Sequence, residues 1–362
     1  MALCRALRSG RLKRTADVRI APGDARGFSA RSFESRPARK RATVARDTPG
    51  ASGGKQTETL DVKRLAKSYA FKISSYAKQA SWRDACWVLS DMPQVKVKPD
   101  VIIYNTTISA CGKGGQWQQA LAVFGAMPQA KVKPDVISYS AAISACEKGG
   151  QWQQALGMFG AMPQAKVKPN VISYSAAIGA CEKGGQWQQA LGLFGAMPQA
   201  KVQPTLASYN AVLDAIFDKS QGPPCFDCGI SATVFPTLMN ATPRIIDLHE
   251  LSEGAAQLAV RWWLATLVAP SIGKGLGASE AYECIIITGY GRSRKGWGTS
   301  DVQAAVLNML RTLKLSAGVL EINAGRLQLV LRKCNMPLLQ QCVKQQARRR
   351  KGDVRRPRLF LS

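Results

Sequence analysis

Histidine occurs once in this chain of 362 residues, at His249, and Asp247 stands two places before it. Alternate residues of a strand point to one face, so a strand ending in Ile246-Asp247-Leu248-His249 would present carboxylate and imidazole together. Near neutral pH an imidazole can take the proton of an attacking hydroxyl, and a carboxylate beside it can orient the ring or hold a divalent ion, magnesium or manganese. A lone histidine excludes a two-histidine ribonuclease or a multi-histidine metal site within one subunit. A second loop, Thr288-Gly289-Tyr290-Gly291, follows another apolar run. Gly289 and Gly291 would let backbone N–H groups approach a phosphate, and Arg292, Arg294 and Lys295 would stabilise charge on it. The same residues also suit a module that binds without chemistry, with Asp247 and His249 capping and pinning the loops.

The elements that must position these loops alternate. Ile245–Leu248 and Glu283–Thr288 are expected strands, Ser252–Leu267 and Ser300–Leu313 amphipathic helices, and Leu320–Asn323 with Leu327–Leu331 a hairpin turned at Ala324-Gly325. About ninety residues suffice for one α/β layer. With Asn323-Ala324-Gly325-Arg326, the two loops resemble the small MutS-related (Smr) domain, marked by L-D-x-H and T-G-x-G, over roughly residues 244–332. The resemblance implies nucleic-acid binding and, in many members, endonuclease activity. Ile246 stands for the usual leucine, and Glu250 for the usual glycine. That extra acid either repels phosphate or supplies a metal ligand.

Upstream lies a different order. Val136–Asn170 recurs as Val171–Thr205 with four of thirty-five positions changed, Val101–Asp135 differs at eight, and Ala66–Asp100 keeps the frame more loosely. Trp82, Trp117, Trp152 and Trp187 mark the period. Each unit holds two helical stretches around a Lys-Gly-Gly turn, with Pro128 and Pro134 closing the second in Val101–Asp135. Neither helix can bury its apolar stripe alone, so the units must stack, with Trp, Leu and Phe in the core.

This pattern closely resembles the pentatricopeptide repeat over residues 66–205. The resemblance implies a right-handed helical solenoid binding single-stranded RNA, roughly one base per unit. It implies that the fifth and last residues read the base: Asn105 with Asp135, Ser140 with Asn170, Ser175 with Thr205, and Asn210 in a partial fifth unit. Ile102, Ile137 and Ile172, at position 2, would pack against the bases. A carboxylate such as Asp135 accepts the ring N–H of uracil or guanine, whereas the amide of Asn170 donates to the bare nitrogen of adenine or cytosine. By the family's rule for position 5 the array reads uracil, adenine, then a purine, 5′ to 3′. Thr205 and Ala70 depart from the rule and leave their bases unassigned. Lys78, Lys113, Lys148 and Lys183 share one position and either contact phosphates or satisfy helix C-termini. A protein-binding tetratricopeptide solenoid would have a thirty-four-residue period and no polar pair at positions 5 and 35.

The chain carries 50 Lys and Arg against 23 Asp and Glu, with net +10 in residues 1–65 and +8 in residues 333–362. That balance suits a polyanionic partner. Residues 1–50 are Arg-rich and acid-poor without an apolar segment, as in an organelle transit peptide; a disordered RNA-binding arm is the competing reading. The expected location is an organelle, mitochondrion before plastid. Cys111, Cys146 and Cys181 recur as small packed residues, pointing to a reducing compartment, and the lone Cys225-x-x-Cys228 lacks partners for zinc. No membrane span is expected, since the most apolar stretch, Leu258–Ala269, is short and contains Arg261.

The expected architecture is therefore an α-helical solenoid followed by a small C-terminal α/β sandwich. Its divisions are 1–60 (transit peptide), 66–218 (units 66–100, 101–135, 136–170, 171–205 and a partial 206–218), 219–243 (linker), 244–332 (α/β domain) and 333–362 (basic tail). The expected activity is site-selective RNA binding with endonucleolytic processing by the α/β domain. A non-enzymatic RNA-stabilising factor and a protein-interaction solenoid are the alternatives, with other RNA-processing proteins as further candidate partners.

Overall fold

The structure is a computed structural model that describes residues 54–273, 281–289, 291–293, 296–298, 301–320, 323–341 and 343–344. Most of the expected transit peptide, the tail beyond residue 344, Arg294 and Lys295 lie outside the described residues. The chain divides into two compact units between Lys133 and Pro134.

The first unit holds α1 (Gly54–Lys78), α2 (Trp82–Asp91), α3 (Val101–Lys113) and α4 (Trp117–Gln129). Asp100 caps α3, its carboxylate accepting from Ile103 N at 2.9 Å. The Lys-Gly-Gly turn now has a physical account. Gly115 sits at φ +72, and a Cβ on Gly114 would come within 2.6 Å of Trp82 Cδ1. One glycine thus supplies the left-handed bend and the other admits the preceding unit's indole.

The second unit repeats that construction in α5 (Val136–Lys148), α6 (Trp152–Gln164), α7 (Val171–Lys183), α8 (Trp187–Ala196) and α9 (Leu206–Ile216). The close approach of turn and tryptophan recurs between Gly184 and Trp152. The first helices stack in order, α5 on α7 and α7 on α9. Phe159 meets Tyr174 edge-on at 4.8 Å, and Phe194 meets Tyr209 at 4.9 Å, so each pair ties one unit to the next. Cys146 and Cys181 are fully buried, and burial pushes each thiol up to about 11, leaving them as inert packing groups. Pro128 does not end its helix as expected but sits in the last turn, as does its counterpart Pro163. The chain turns out at Lys131 and Lys166, both at φ 58, whose N–H groups return to Pro128 O and Pro163 O.

Two further expectations change here. Residues 219–243 are not a linker. They form α10 (Gly222–Ser231), packed against α9 as the second helix of a fifth pair, and the short α11 (Pro236–Met239). Gly222-Pro223-Pro224 opens α10 because the N–H that proline lacks is one a first helical turn cannot pair anyway. Phe226 stacks on Phe235 at 5.1 Å, and Cys225 and Cys228 are buried beside them. The hairpin turn also moves. β5 (Ala317–Leu320) ends and β6 (Asn323–Leu331) begins around residues 321–322, which lie outside the described residues, so Gly325 falls within a strand.

β1 (Ile245–Asp247) pairs in parallel with β2 (Tyr282–Ile287), β2 antiparallel with β6, and β6 with β5, giving the order β1-β2-β6-β5. β3 (Gly291–Ser293) and β4 (Gly296–Gly298) form a separate two-stranded ribbon. Between β1 and β2 run α12 (Glu253–Trp263), a π-helical turn (Leu264–Val268) and α13 (Ala269–Gly273). α14 (Asp301–Thr312) packs on α12. One apolar core runs from Tyr174 through α9 and α10 to the sheet and Leu339, so the last helix pairs and the α/β module are continuous.

Candidate nucleic-acid interface

Position 2 of the first helices is exposed in three successive repeats. Ile102, Ile137 and Ile172 are 66%, 59% and 60% exposed, far more than a β-branched apolar residue in a packed solenoid requires. Each follows the cap of its helix by two places. Asp135 Oδ1 accepts from Ser138 N at 2.8 Å and Asn170 Oδ1 from Ser173 N at 3.0 Å, each within a reciprocal capping box. The last-position residues are therefore helix caps as well as candidate base readers, a role hidden in the Asp-x-x-Ser and Asn-x-x-Ser spacing. Capping also engages the amide oxygen: Oδ1 of Asn170 accepts from Ser173, which leaves Nδ2 as the donor of that side chain.

Position 5 behaves differently from unit to unit. Ser175 Oγ lies 2.9 Å from Ser208 Oγ, three residues inside the next first helix. Ser140 is 5% exposed, with its hydroxyl buried and without a hydrogen-bond partner, and Asn105 is buried with a partner of its own. A groove of about 360 Å³ runs across α5, α7 and α9, lined by Ile172, Ser175 and Thr205 together with Glu147 and Gly179. The groove lies where Ser175 and Thr205, the third expected pair, come together.

The lysines are less uniform than their spacing. Lys78, Lys113, Lys148 and Lys183 are all exposed at helix C-termini. Lys183, however, is paired with Glu147 of the preceding unit at 3.0 Å. Gly179, where the preceding unit has Ser144, leaves room for that carboxylate: a Cβ there would come 3.0 Å from Glu147 Oε1. Lys183 is not the unengaged phosphate contact that its position suggests.

In the α/β module three sequence-distant segments meet at one end of the sheet. Asp247 Oδ1 accepts from His249 Nδ1 at 2.8 Å and from His249 N at 3.1 Å. Leu248 N donates to Ile287 O at 2.8 Å, which carries the parallel pairing of β1 and β2 up to the histidine. Thr288 donates through both N and Oγ1 to Gly325 O, at 2.9 and 3.1 Å. Gly289, at φ +76, lies against the histidine, since a Cβ there would sit 3.3 Å from His249 Cβ. The carboxyl ends of parallel strands are where open α/β sheets place ligands. The histidine is half exposed, and Glu250 Oε1 lies 3.8 Å from its Nε2. Among the described residues no three His, Cys, Asp or Glu side chains group to hold a metal ion. Gly291 and Arg292 fall on the ribbon strand β3.

Asn210, expected at a base-reading position, is engaged within the protein. Its Nδ2 donates to Glu250 O at 3.0 Å, and its backbone carbonyl accepts from Ser252 Oγ at 3.4 Å, so the residue is tied to the loop that carries His249. Sequence had no signal for this, because the partner lies forty residues away. No helix among the described residues is long and apolar enough to cross a membrane.

The PPR repeat family model matches residues 99–148, and the pentatricopeptide repeat domain model matches residues 68–114, 127–185 and 180–219. No curated protein matches the chain. Among solved structures it is similar to the PPR domain of Arabidopsis thaliana protein-only RNase P 1 in complex with tRNA, at 16% identity and TM-score 0.43, over 56% of this chain and 98% of that one. It is also similar to PPR10 of maize in complex with an 18-nt psaJ RNA element, at 20% identity and TM-score 0.41 over 50% of this chain. The match spans 28% of that PPR10 chain. Nuclear proteinaceous RNase P 2 from A. thaliana aligns at 12% identity and TM-score 0.41, over 68% and 57% of the two chains. The repeating helix pairs within residues 68–219 are pentatricopeptide repeats.

Proposed function

We propose that the helix pairs bind single-stranded RNA along their first helices, one base per unit, and that the α/β module, Smr-like in its three loops, cleaves the bound strand at His249. The observation that carries the binding reading is the exposed isoleucine that follows a polar helix cap by two places in each of three repeats. An apolar face for each base stands next to an oriented donor or acceptor for its edge. Asp135 offers a carboxylate to uracil or guanine, and Asn170 an amide donor to adenine or cytosine. The buried, unpaired hydroxyl of Ser140 costs roughly 1–3 kcal/mol unless something bonds it, which suits a recognition position. Net charge and the exposed Lys113 and Lys148 supply the electrostatic part. RNA affinity of the full chain should fall several-fold between low and physiological salt. Affinity that ignores salt, or preference for a protein ligand, overturns this reading.

For the chemistry, Asp247 holds Nδ1–H and leaves Nε2 to act as base. The proton of a ribose 2′-hydroxyl passes to Nε2, the 2′-oxygen bonds to phosphorus, and the 5′-oxygen departs and is protonated by solvent. Backbone N–H groups around Gly289 would face the phosphate. A second reading, a clamp without chemistry, draws on Glu250, whose carboxylate near Nε2 opposes a phosphate there. Incubating wild type with matched RNA, with and without magnesium or manganese, separates the two; intact RNA in every condition leaves the clamp. The Arg-rich residues 1–50 support import into an organelle, mitochondrion before plastid. A fluorescent fusion of residues 1–60 that stays in the cytosol overturns that.

A further inference from the structure

The array ends against something other than a repeat. In the second compact unit the first helices stack in order, and Ser175 of α7 meets Ser208 just inside α9 behind its cap Thr205. Beyond α9 the helix packed in that way is α12. Its N-cap is Ser252, in extended backbone like Asp135, Asn170 and Thr205. Asp214 of α9 accepts from Gly254 N at 2.8 Å, and a Cβ on Gly254 would lie 2.9 Å from Asp214 Cα, so the two helices meet almost backbone to backbone. α12 thus stands where a sixth first helix would stand. The loop before it, which carries His249, stands where a last-position residue would.

Asn210 occupies position 5 of α9, the place of Ser140 and Ser175 in their units. Its donor goes to Glu250 O, one residue past His249, and its buried Oδ1 has no hydrogen-bond partner. We infer that Asn210 is a positioning residue that holds the His249 loop in the slot after the one bounded by Ser175 and Thr205, so that the module acts at one nucleotide, the next along the array. The inference rests on the RNA reading above. Its alternative is a tethered module: twenty-five flexible residues would give a root-mean-square reach of about 25–30 Å, spanning several nucleotides. Residues 222–231 are instead a helix in the shared core, and the loop is bonded to the array directly.

The test uses the full chain bound to single-stranded RNA that carries 4-thiouridine at one position at a time. After irradiation, the peptide containing residues 248–252 is mapped for crosslinks. In wild type, crosslinks to that peptide fall on a single nucleotide, adjacent to the base at Ser175 and Thr205. Asn210→Ala spreads them over several nucleotides, as does Asn210→Asp, which keeps the shape and loses the donor. RNA affinity stays within roughly tenfold, the worth of one hydrogen bond. Duplicating residues 171–205 moves the crosslink by one nucleotide relative to the base chosen at Asn170. Crosslinks scattered in wild type overturn the inference. So does an unchanged register in both Asn210 variants with altered base preference at the next nucleotide, since Asn210 is then a reader. If wild type binds RNA without cutting it, the crosslink register still decides. If it binds no RNA, the underlying reading falls and this one with it.

Discussion

The helix pairs and the α/β module place their functional groups in opposite ways. In the pairs, a residue that would face a base is also a local structural part: Asn170 caps its own helix through Ser173, and Ser175 bonds the start of the next helix. Its position follows from residues three or thirty-three places away. In the module, Asp247, Gly289 and Gly325 come from segments far apart in sequence and meet through backbone hydrogen bonds and one close glycine contact. Specificity in the array should therefore be changeable by single substitutions at little structural cost, whereas the site in the module should tolerate almost none.

The largest expected effect breaks the module and leaves the array alone. His249→Ala should lower the cleavage rate by about 10²–10⁴-fold, the usual contribution of a general acid–base group, while RNA affinity and melting temperature hold. Asp247→Asn keeps the shape of the side chain but no longer fixes Nδ1–H, so it should also slow cleavage. A parallel loss of affinity in His249→Ala would mean that the imidazole binds and does not act as base.

Next comes a pair of glycines within one repeat. Gly184→Ala would drive a methyl to 2.3 Å from Trp152 Cδ1 and should cost about 1–3 kcal/mol, read by denaturant unfolding. Gly192→Ala, on α8 with open space around it, should stabilise by up to about 1 kcal/mol. If both behave alike, the turn glycine is not set by the neighbouring indole and the repeat contact described above is wrong.

Much of the array was legible because its constraints recur. The tryptophans, the Gly-Gly turn and the exposed isoleucines each appear at a fixed spacing, although the tryptophans expected in the core are half-buried, whereas Ile108, Cys111, Ala120 and Met127 are fully buried. The capping boxes were legible too, in the spacing of Asp135-x-x-Ser138 and Asn170-x-x-Ser173. In the module, both runs read as strands ending in polar loops, but only the resemblance grouped the loops, and their adjacency comes from the parallel pairing of β1 and β2. The joint was not. Gly222-Pro223-Pro224 carries breaker chemistry, and only the tertiary burial of Cys225 and Phe226 makes it a helix start. Asn210 matched its counterparts in type and place; what redirects it is Glu250, in a different element.

Asn170→Asp sharpens the contrast further. Aspartate caps as well as asparagine, as Asp135 does at 2.8 Å, so stability should hardly move. Base preference at that unit should shift from adenine to guanine, by about 1–3 kcal/mol if the contact resembles bidentate readout elsewhere. Selection from a randomised RNA pool reads this out, and an unchanged consensus removes the assigned register.

The smallest effect lies where array and module join. Glu182, at the end of α7, has its carboxyl raised above the ordinary range, first by burial and then by the carboxylates of Asp214, Glu147 and Glu253, against the opposing pull of Lys183. A raised folded value means that its stabilising share is complete below the unfolded value, about 4.3, and is lost as pH rises through the folded one. At pH 7 wild type therefore carries a charge that the fold disfavours, and glutamine does not. Glu182→Gln should melt on the order of a degree higher than wild type at pH 7, and the gap should close as pH falls towards 4. Three of the four acids belong to repeat helices and Glu253 to α12, so Glu253→Gln should reproduce part of the gain, although the side chain lies outside the array. A gap of equal size at both pH values would assign the gain to packing, and the electrostatic link between the last repeats and the module would be lost.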